Sequence, residues 1–294
     1  MRVTDSMRYD QAVRDTGRAR EAAENAISRA SSGLRVARAK DDPGAAGLIA
    51  LDRARADRLD AIATSAGRAS DELTSADGAL ATVSNAVARA REIAVQLSNG
   101  TYGASERAGA ATEVQGLLAT AVSALNTRVG GRYVMAGDLD STAPFDAAGN
   151  YLGDTAVRQV EIAPGVLQAA SVRADVAVKG AGGGVDVLQA LTDLASALTA
   201  NDPVQIRAAL DPLGQGTDQL SRARAEAGTA MATLDAAVSA SKAGRDDATA
   251  DASHLGDADV VAAATDLSRT QAALDASLSA VAQGFKLSLV DKLG

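Results

Sequence analysis

The residues able to do chemistry are few, and their spacing favours none. His254 is the one histidine and there is no cysteine. That excludes multi-histidine and thiolate metal sites, a cysteine nucleophile and a disulfide framework. Asp41-Asp42 invites a general acid–base reading, but neither a partner nor a pocket for such a dyad is visible in the sequence. With Pro43 behind it, Asp42 reads instead as a helix N-cap and Pro43 as the first helical residue, where proline loses no intrahelical bond. Gly180-Ala181-Gly182-Gly183-Gly184 is rich enough in glycine to cradle a phosphate but lacks the spacing of a P-loop or dinucleotide fingerprint, so it reads as a linker. Arg53, Arg55 and Arg58 balance Asp52, Asp57 and Asp60 as a solvated helix face. His254 reads as a polar loop or cap residue, and Tyr133 and Phe145 as core of a small insert. No catalytic, cofactor-binding or metal-binding residue is expected, and the chain reads as a non-enzyme.

Composition explains what must position these residues. The 294-residue chain has 2% aromatics, no Trp and two Phe. Alanine alone approaches roughly a quarter of it, several times an average share. A core without large rings has to be built from Ala, Leu and Val, and alanine is the best helix former. Long, closely packed helices follow; a sandwich or barrel would need β-branched and aromatic strands. The net charge of −8 argues against a grip on nucleic-acid backbone. The polar start Met1-Arg2-Val3-Thr4-Asp5-Ser6 lacks the apolar run of a secretory signal peptide, and no stretch approaches a membrane span.

Periodicity predicts helix, then a sheet-like insert, then helix. The first helix runs from about Asp5 to Ser32 with a coiled-coil seam of Tyr9, Val13, Thr16, Ala23, Ile27, Ala30 and Leu34, stopped at Gly33. A second helix from Pro43 to Leu97, fifty-odd residues, would be a rod of roughly 75–80 Å. Its seam is Leu73, Ala76, Leu80, Val83, Val87, Ala90, Ala94 and Leu97. A third, capped by Ser105 and stopped by Gly130-Gly131, returns antiparallel along Ala111, Val114, Leu118, Ala121 and Leu125. Val160 and Ile162 alternate before an Ala163-Pro164-Gly165 turn, and Val172, Ala174, Val176 and Val178 read as a further strand. Pro212 forces a break, kink or restart between Leu210 and Leu213. Seams at Leu213, Leu220, Ala227, Met231, Leu234 and Val238, and at Val260, Ala264, Leu267, Leu274, Leu278, Val281 and Phe285, are out of phase, so a break is expected near Gly256.

The expected fold is therefore mainly α: a long antiparallel coiled-coil or helical bundle formed by both chain ends, with a small β-rich inserted domain. The divisions are an N-terminal helical part at 1–135, a β-rich insert and linker at 136–184, and a C-terminal helical part at 185–294 that completes the bundle. Narrow stripes at both chain ends cannot make a core alone, and ends fray unless they dock. The terminal helices should pair with each other, with neighbouring molecules, or both. The assembly seam is assigned to Val13, Ile27, Leu34, Leu267, Leu274, Leu278, Val281 and Phe285.

Several segments carry a resemblance. Ser31-Ser32-Gly33-Leu34-Arg35-Val36 through Asp41-Asp42-Pro43 is similar to the N-terminal signature of flagellins and flagellar hook-associated proteins. Gly131-Arg132-Tyr133-Val134-Met135-Ala136-Gly137, Ala143-Pro144-Phe145 and Gly149-Asn150-Tyr151-Leu152-Gly153-Asp154 resemble a block of the hook-associated protein 3 family, the hook–filament junction proteins of the flagellin superfamily. Gln271-Ala272-Ala273-Leu274-Asp275-Ala276-Ser277 and Leu287-Ser288-Leu289-Val290-Asp291-Lys292-Leu293 resemble the same family.

The resemblance implies a structural component of the bacterial flagellum. It would be an extracellular protein exported unfolded by the flagellar type III route without a cleaved signal peptide. Its partners would be further copies in a ring, a hook-side junction protein, flagellin, and an export chaperone for the C-terminal helix. No cofactor, nucleic acid or membrane span is implied. A flagellin filament subunit is the alternative, and a soluble helical signalling rod or an enzyme is a reading from another class.

Overall fold

Alanine and leucine at three- and four-residue spacings fold here as helices, which carry most of the chain. The computed structural model describes residues 5–293, with side chains described for residue 7 and residues 9–283. The helices are α1 (Asp5–Ser32), α2 (Pro43–Leu97), α3 (Ala104–Leu125), α4 (Ala174–Ala177), α5 (Val187–Thr199), α6 (Pro203–Ala208), α7 (Leu210–Gly256) and α8 (Val260–Leu293). Two antiparallel hairpins interrupt them, β1 (Arg128–Val129) with β2 (Arg132–Tyr133), and β3 (Gln159–Ala163) with β4 (Val166–Ala169). The architecture is mainly α with small sheets, as composition and periodicity predict. The chain divides into two units: Met1–Arg58 with Gly244–Gly294, and Leu59–Ala243.

The second unit holds the large core. The predicted α2 seam is buried from Leu73 to Leu97, as are Ala111, Val114, Ala121 and Leu125 of α3 and Leu213, Leu220 and Leu234 of α7. α5 adds Leu188, Leu191, Leu194 and Leu198 to this core. Arg89 of α2 bonds Glu113 of α3 at 2.7 Å, each about two turns from the link that joins the helices, as an antiparallel pair requires. α2 and α7 also run antiparallel: Ser70 donates to Asp235 (2.9 Å), and Arg224 forks onto both Asp77 oxygens at 2.7 and 3.2 Å. Arg107 is buried and spends its guanidinium on the carbonyls of Leu97 and Asn99 and on Asn201 Oδ1, locking three chain segments together.

Turn chemistry overturns four local expectations. α3 stops at Leu125, not at Gly130-Gly131; those glycines, at φ 58° and 85°, make the two-residue turn between β1 and β2. α3 begins at Ala104, where the Glu106 carboxylate accepts from the Gly103 amide (3.0 Å), so Ser105 lies inside the helix. Val172 to Val178 holds the short α4 instead of a strand: Ala174, Ala177 and Val178 are buried at helical spacing, and Val176 points out. Alternation over so short a run fits both periods. The glycine run is a packed turn and not a loose link. Gln219 Nε2 donates to Ala177 and Val185 carbonyls, and its Oε1 accepts from the Val185 amide. A Cβ at Gly184 would stand 2.0 Å from that Oε1.

Pro212 falls in the first turn of α7, which restarts at Leu210 after α6, so its missing N–H costs nothing. The block from Tyr133 to Asp154 is held by short polar bonds. Asn126 clamps Phe145 through both backbone groups at 2.9 and 3.0 Å, and Phe145 stacks at a tilt on Tyr151, centroids 5.2 Å apart.

Candidate assembly surface

In the first unit α1 and α8 pair with each other, and the corners beside them fix their direction. The Ala258 amide donates to the Gly33 carbonyl at 2.8 Å, so the end of α1 meets the start of α8 and the two run antiparallel. Arg29 reaches Asp266 at 3.2 Å across the pair. On α1 the burial pattern puts Ala12, Thr16, Ala19, Ala23 and Ala26 toward α8 at alternating four- and three-residue steps. Ala23 and Ala26 are only 4% and 1% exposed. On α8 the matching positions are Ala263, Leu267, Thr270, Leu274, Ser277 and Val281, all half-buried.

The larger residues of the α1 stripe lie beside this seam. Val13 is 53% exposed, Ile27 48%, and Leu278 of α8 50%. Tyr9 is also exposed. Thr16 and Ala23 belong to both the predicted stripe and the observed seam; Val13 and Ile27 stand one flank over. Leu34, Leu267, Leu274 and Val281 are half-buried, and the side chain of Phe285 lies outside the described residues. Thus α1 buries its small face within the chain and leaves its larger apolar flank uncovered.

The corner between α1 and α2 follows from the signature. Gly33 takes φ +68° just past α1, and its amide donates to the Arg29 carbonyl at 3.0 Å. α2 starts at Pro43, and Asp42 Oδ1 accepts from the Ala45 amide at 3.0 Å. That backbone bond, and then the Arg35 guanidinium, hold the Asp42 carboxyl below the usual carboxylate range. Asp42 and Pro43 therefore sit at the head of α2. Val36, Ala45, Ile49 and Ala252 form the small core beneath. At Gly256 a Cβ would press on Ile49 Cδ1 at 3.3 Å, which suits a glycine there. His254 is exposed in the last turn of α7.

Titratable groups with displaced pKa values are scattered, and each has a local cause. Arg89 and Arg224 are raised by their ion pairs with Glu113 and Asp77. Asp146 is lowered first by the Asn150 side chain. Tyr151 is pushed up to about 12, first by burial and then by the Asp175 and Asp154 charges. Its hydroxyl donates toward the Asp154 carbonyl at 2.8 Å. Arg173 is raised by Asp175, beside a groove of about 920 Å³ on the second unit lined mostly by small residues such as Ala177, Ala223, Ala227 and Ala230. Among the described residues no group of three His, Cys, Asp or Glu could hold a metal ion, and no helix is long and apolar enough to cross a membrane.

Periodicity places the α1 seam on Tyr9, Val13, Ile27 and Ala30 beside Thr16 and Ala23, and misses that Ala12, Ala19 and Ala26 make the packed face. Alanine is so frequent here that it fits every helical phase. Periodicity also misses Arg35, whose role depends on a carbonyl 220 residues away.

Comparison with known proteins gives consistent relatives. The family model of the bacterial flagellin N-terminal helical region matches residues 3–139. Flagellar hook-associated protein 3 of Escherichia coli (strain K12) is 33% identical over 156 residues, covering 52% of this chain and 49% of the relative. The protein of the same name from Salmonella typhimurium is 31% identical over 156 residues, with the same shares. The match spans about half the length of these curated relatives. A solved structure described as a flagellar hook-associated protein from Vibrio parahaemolyticus is similar at a TM-score of 0.67 and 20% identity, covering 74% of this chain and 100% of that one. Flagellar hook-associated protein 3 from Legionella pneumophila is similar at a TM-score of 0.59 and 15% identity, covering 69% and 97%. At those identities the likeness to solved structures is one of fold.

Proposed function

We propose that this chain is a member of the flagellin superfamily, on its hook-associated protein 3 side, and that it is a structural junction adaptor of the bacterial flagellum and not an enzyme. It joins a hook-side junction protein to the first flagellin subunits as a ring of identical copies. The observation that carries the reading is the uncovered flank of the terminal pair. A helix pair that spends alanine on its internal seam keeps Val13, Ile27 and Leu278 for a neighbour. Burying one such large side chain contributes about 1.5–3 kcal/mol, so several per subunit offset much of the ordering entropy of two marginal helices. Of the remaining seam residues, Leu267, Leu274 and Val281 hold α8 against α1, and Leu34 and Phe285 extend the surface in the assembled wall.

The route to that place is part of the proposal. The chain travels unfolded through the flagellar type III channel, without a cleaved signal peptide, and a cytosolic chaperone holds its C-terminal helix until export. Marginal terminal helices suit such a route, because little free energy opposes their unfolding. Labelling the protein on intact flagella tests the reading. A band at the hook boundary is expected; label all along the filament would establish the flagellin alternative. That second reading is favoured by the match to the flagellin N-terminal region. Purified monomer added to flagellin seeds separates the two again, since only a filament subunit extends them.

A further inference from the structure

An alanine seam says where two helices touch but not how far along each other they lie. Moving α1 by one heptad puts Ala19 where Ala12 stood, Ala26 where Ala19 stood and Ala23 where Thr16 stood. Small replaces small at every step, so knobs-into-holes packing discriminates poorly between registers. The chain has length to permit the slide. One heptad is about 10 Å of helix, and the ten residues 33–42 between α1 and α2 could span roughly 33–36 Å if extended. Something outside the seam must set the register.

The corner supplies it. α7 ends at Gly256 with carbonyls that no helical amide can satisfy. The Gly256 carbonyl accepts from the Arg35 and Val36 amides at 2.7 and 3.2 Å. The Leu255 carbonyl accepts from Arg35 Nη2 at 2.6 Å, while Arg35 Nη1 holds Asp42 Oδ2 at 3.1 Å. Leu34 forms a bridge with Asp257, and the Gly33 carbonyl takes the Ala258 amide. Arg35 thus caps the end of α7 and grips the carboxylate that caps α2, beside the backbone bonds of Gly33 and Leu34 that fasten the segment after α1 to the segment before α8.

We infer that Arg35 is a clasp that fixes the axial register of α1 against α8, and so the shape of the apolar flank that the pair presents. The effect on register belongs to the free chain; only its consequence for assembly rests on the function proposed above. A positioning role of this kind makes α1 and α8 helical but misaligned when the clasp is lost.

The chain has no cysteine, so engineered pairs report register cleanly. Arg29→Cys with Asp266→Cys marks the observed alignment, and Arg29→Cys with Ala273→Cys marks a slide of one heptad away from the corner. In purified monomer treated with a short bis-maleimide, whose span stands in for the reach of the Arg29–Asp266 ion pair, the first pair should close and the second should not. Adding Arg35→Ala should cut closure of the first at least about fivefold, the scale of one charge-assisted hydrogen bond, and open closure of the second. Arg35→Lys should behave like Arg35→Ala, because an ammonium cannot fork between a carboxylate and a carbonyl as a guanidinium does. Asp42→Asn, which leaves Arg35 in place, should give a smaller loss. Unchanged closure of the first pair in Arg35→Ala overturns the inference. So does loss of the first without gain of the second alongside a fall in helicity, which means local unfolding. Failure to join a flagellum with register intact would count against the proposed assembly surface and not against the clasp.

Discussion

The two units use the same amino acids for opposite ends. In Leu59–Ala243 a set of large apolar side chains builds a sealed core, among them Leu73, Leu80, Leu125, Met135, Phe145, Leu188, Leu191 and Leu220, while others such as Val95, Leu167 and Val204 stay exposed. In the unit made from the chain ends the buried apolar residues are small ones such as Ala23, Ala26, Ala45, Ala248 and Ala252, with Val36 and Ile49 the larger members. There the large side chains stand outside: Met7, Tyr9, Val13, Ile27, Leu48, Leu51, Val260, Val261 and Leu278. The second unit has a core of large side chains of its own. A unit that exposes its best hydrophobic material is unfinished as a single chain, and large exposed apolar patches mark interaction sites.

The strongest test charges the flank. Ile27→Asp and Leu278→Asp put a carboxylate where a neighbour's apolar surface is expected, and burying an unpaired charge is costly enough to neutralise it or expel it. Incorporation into flagella should be lost, while the thermal transition of the second unit stays in place. Normal junctions carrying either substitution would remove the contrast between the units.

The opposite half of the comparison is broken by a cavity. Leu220→Ala or Leu80→Ala, each at a fully buried position, should destabilise the second unit by about 2–5 kcal/mol. Val13→Ala in the first unit should cost the free chain less than about 0.5 kcal/mol, because an exposed side chain leaves no cavity. Urea titration followed by circular dichroism measures both. Equal losses would mean that Val13 is already in use within the monomer.

How much of this was legible depended on what each residue competes with. Leu73 through Leu97 were readable because leucine and valine at heptad spacing have no rival arrangement. The start of α2 was readable because Asp42-Pro43 combines a cap with a residue suited to only the first turn. Alanine was the difficulty, since the face α1 turns to α8 is made of a residue found on every face. The glycines misled for a related reason: Gly130-Gly131 and Gly180 to Gly184 signal a chain reversal, but whether it is a helix stop, a hairpin or a packed turn is decided by Tyr133 pairing back to Arg128 and by Gln219 arriving from α7. The clasp at Arg35 rests on a bond to Leu255, and no local pattern announces a partner so distant in sequence.

Acid should weaken the corner of the terminal unit through Asp42. The Asp42 carboxyl is held down in the folded chain by the Ala45 amide and Arg35. Its contribution is therefore present above the unfolded value of about 3.9 and is lost as pH falls through the lower folded value. Amide exchange at Ala45 should speed up below that point. In Asp42→Asn the same amide should show no such step, because the substituted side chain does not titrate there. A step that survives the substitution would assign the acid sensitivity to another carboxylate.

The effects of substituting two glycines should differ in sign between the units. Gly180 takes φ +72°, and a Cβ there would lie 2.5 Å from the Gly184 carbonyl carbon, which is backbone and cannot swing aside. Gly180→Ala should destabilise the second unit by about 1–3 kcal/mol. Gly17 stands inside α1, and a Cβ added to it meets nothing within 4 Å. Gly17→Ala should favour that helix by about 0.5–1 kcal/mol, because glycine loses more chain entropy than alanine on becoming helical. If the terminal helices are marginal in the free chain, that increment is visible as added helicity in the purified monomer. If α1 is already fully formed, helicity is unchanged and only its melting shifts upward. The measurement therefore separates an exposed flank on a firm helix from an exposed flank on a helix that waits for its neighbours.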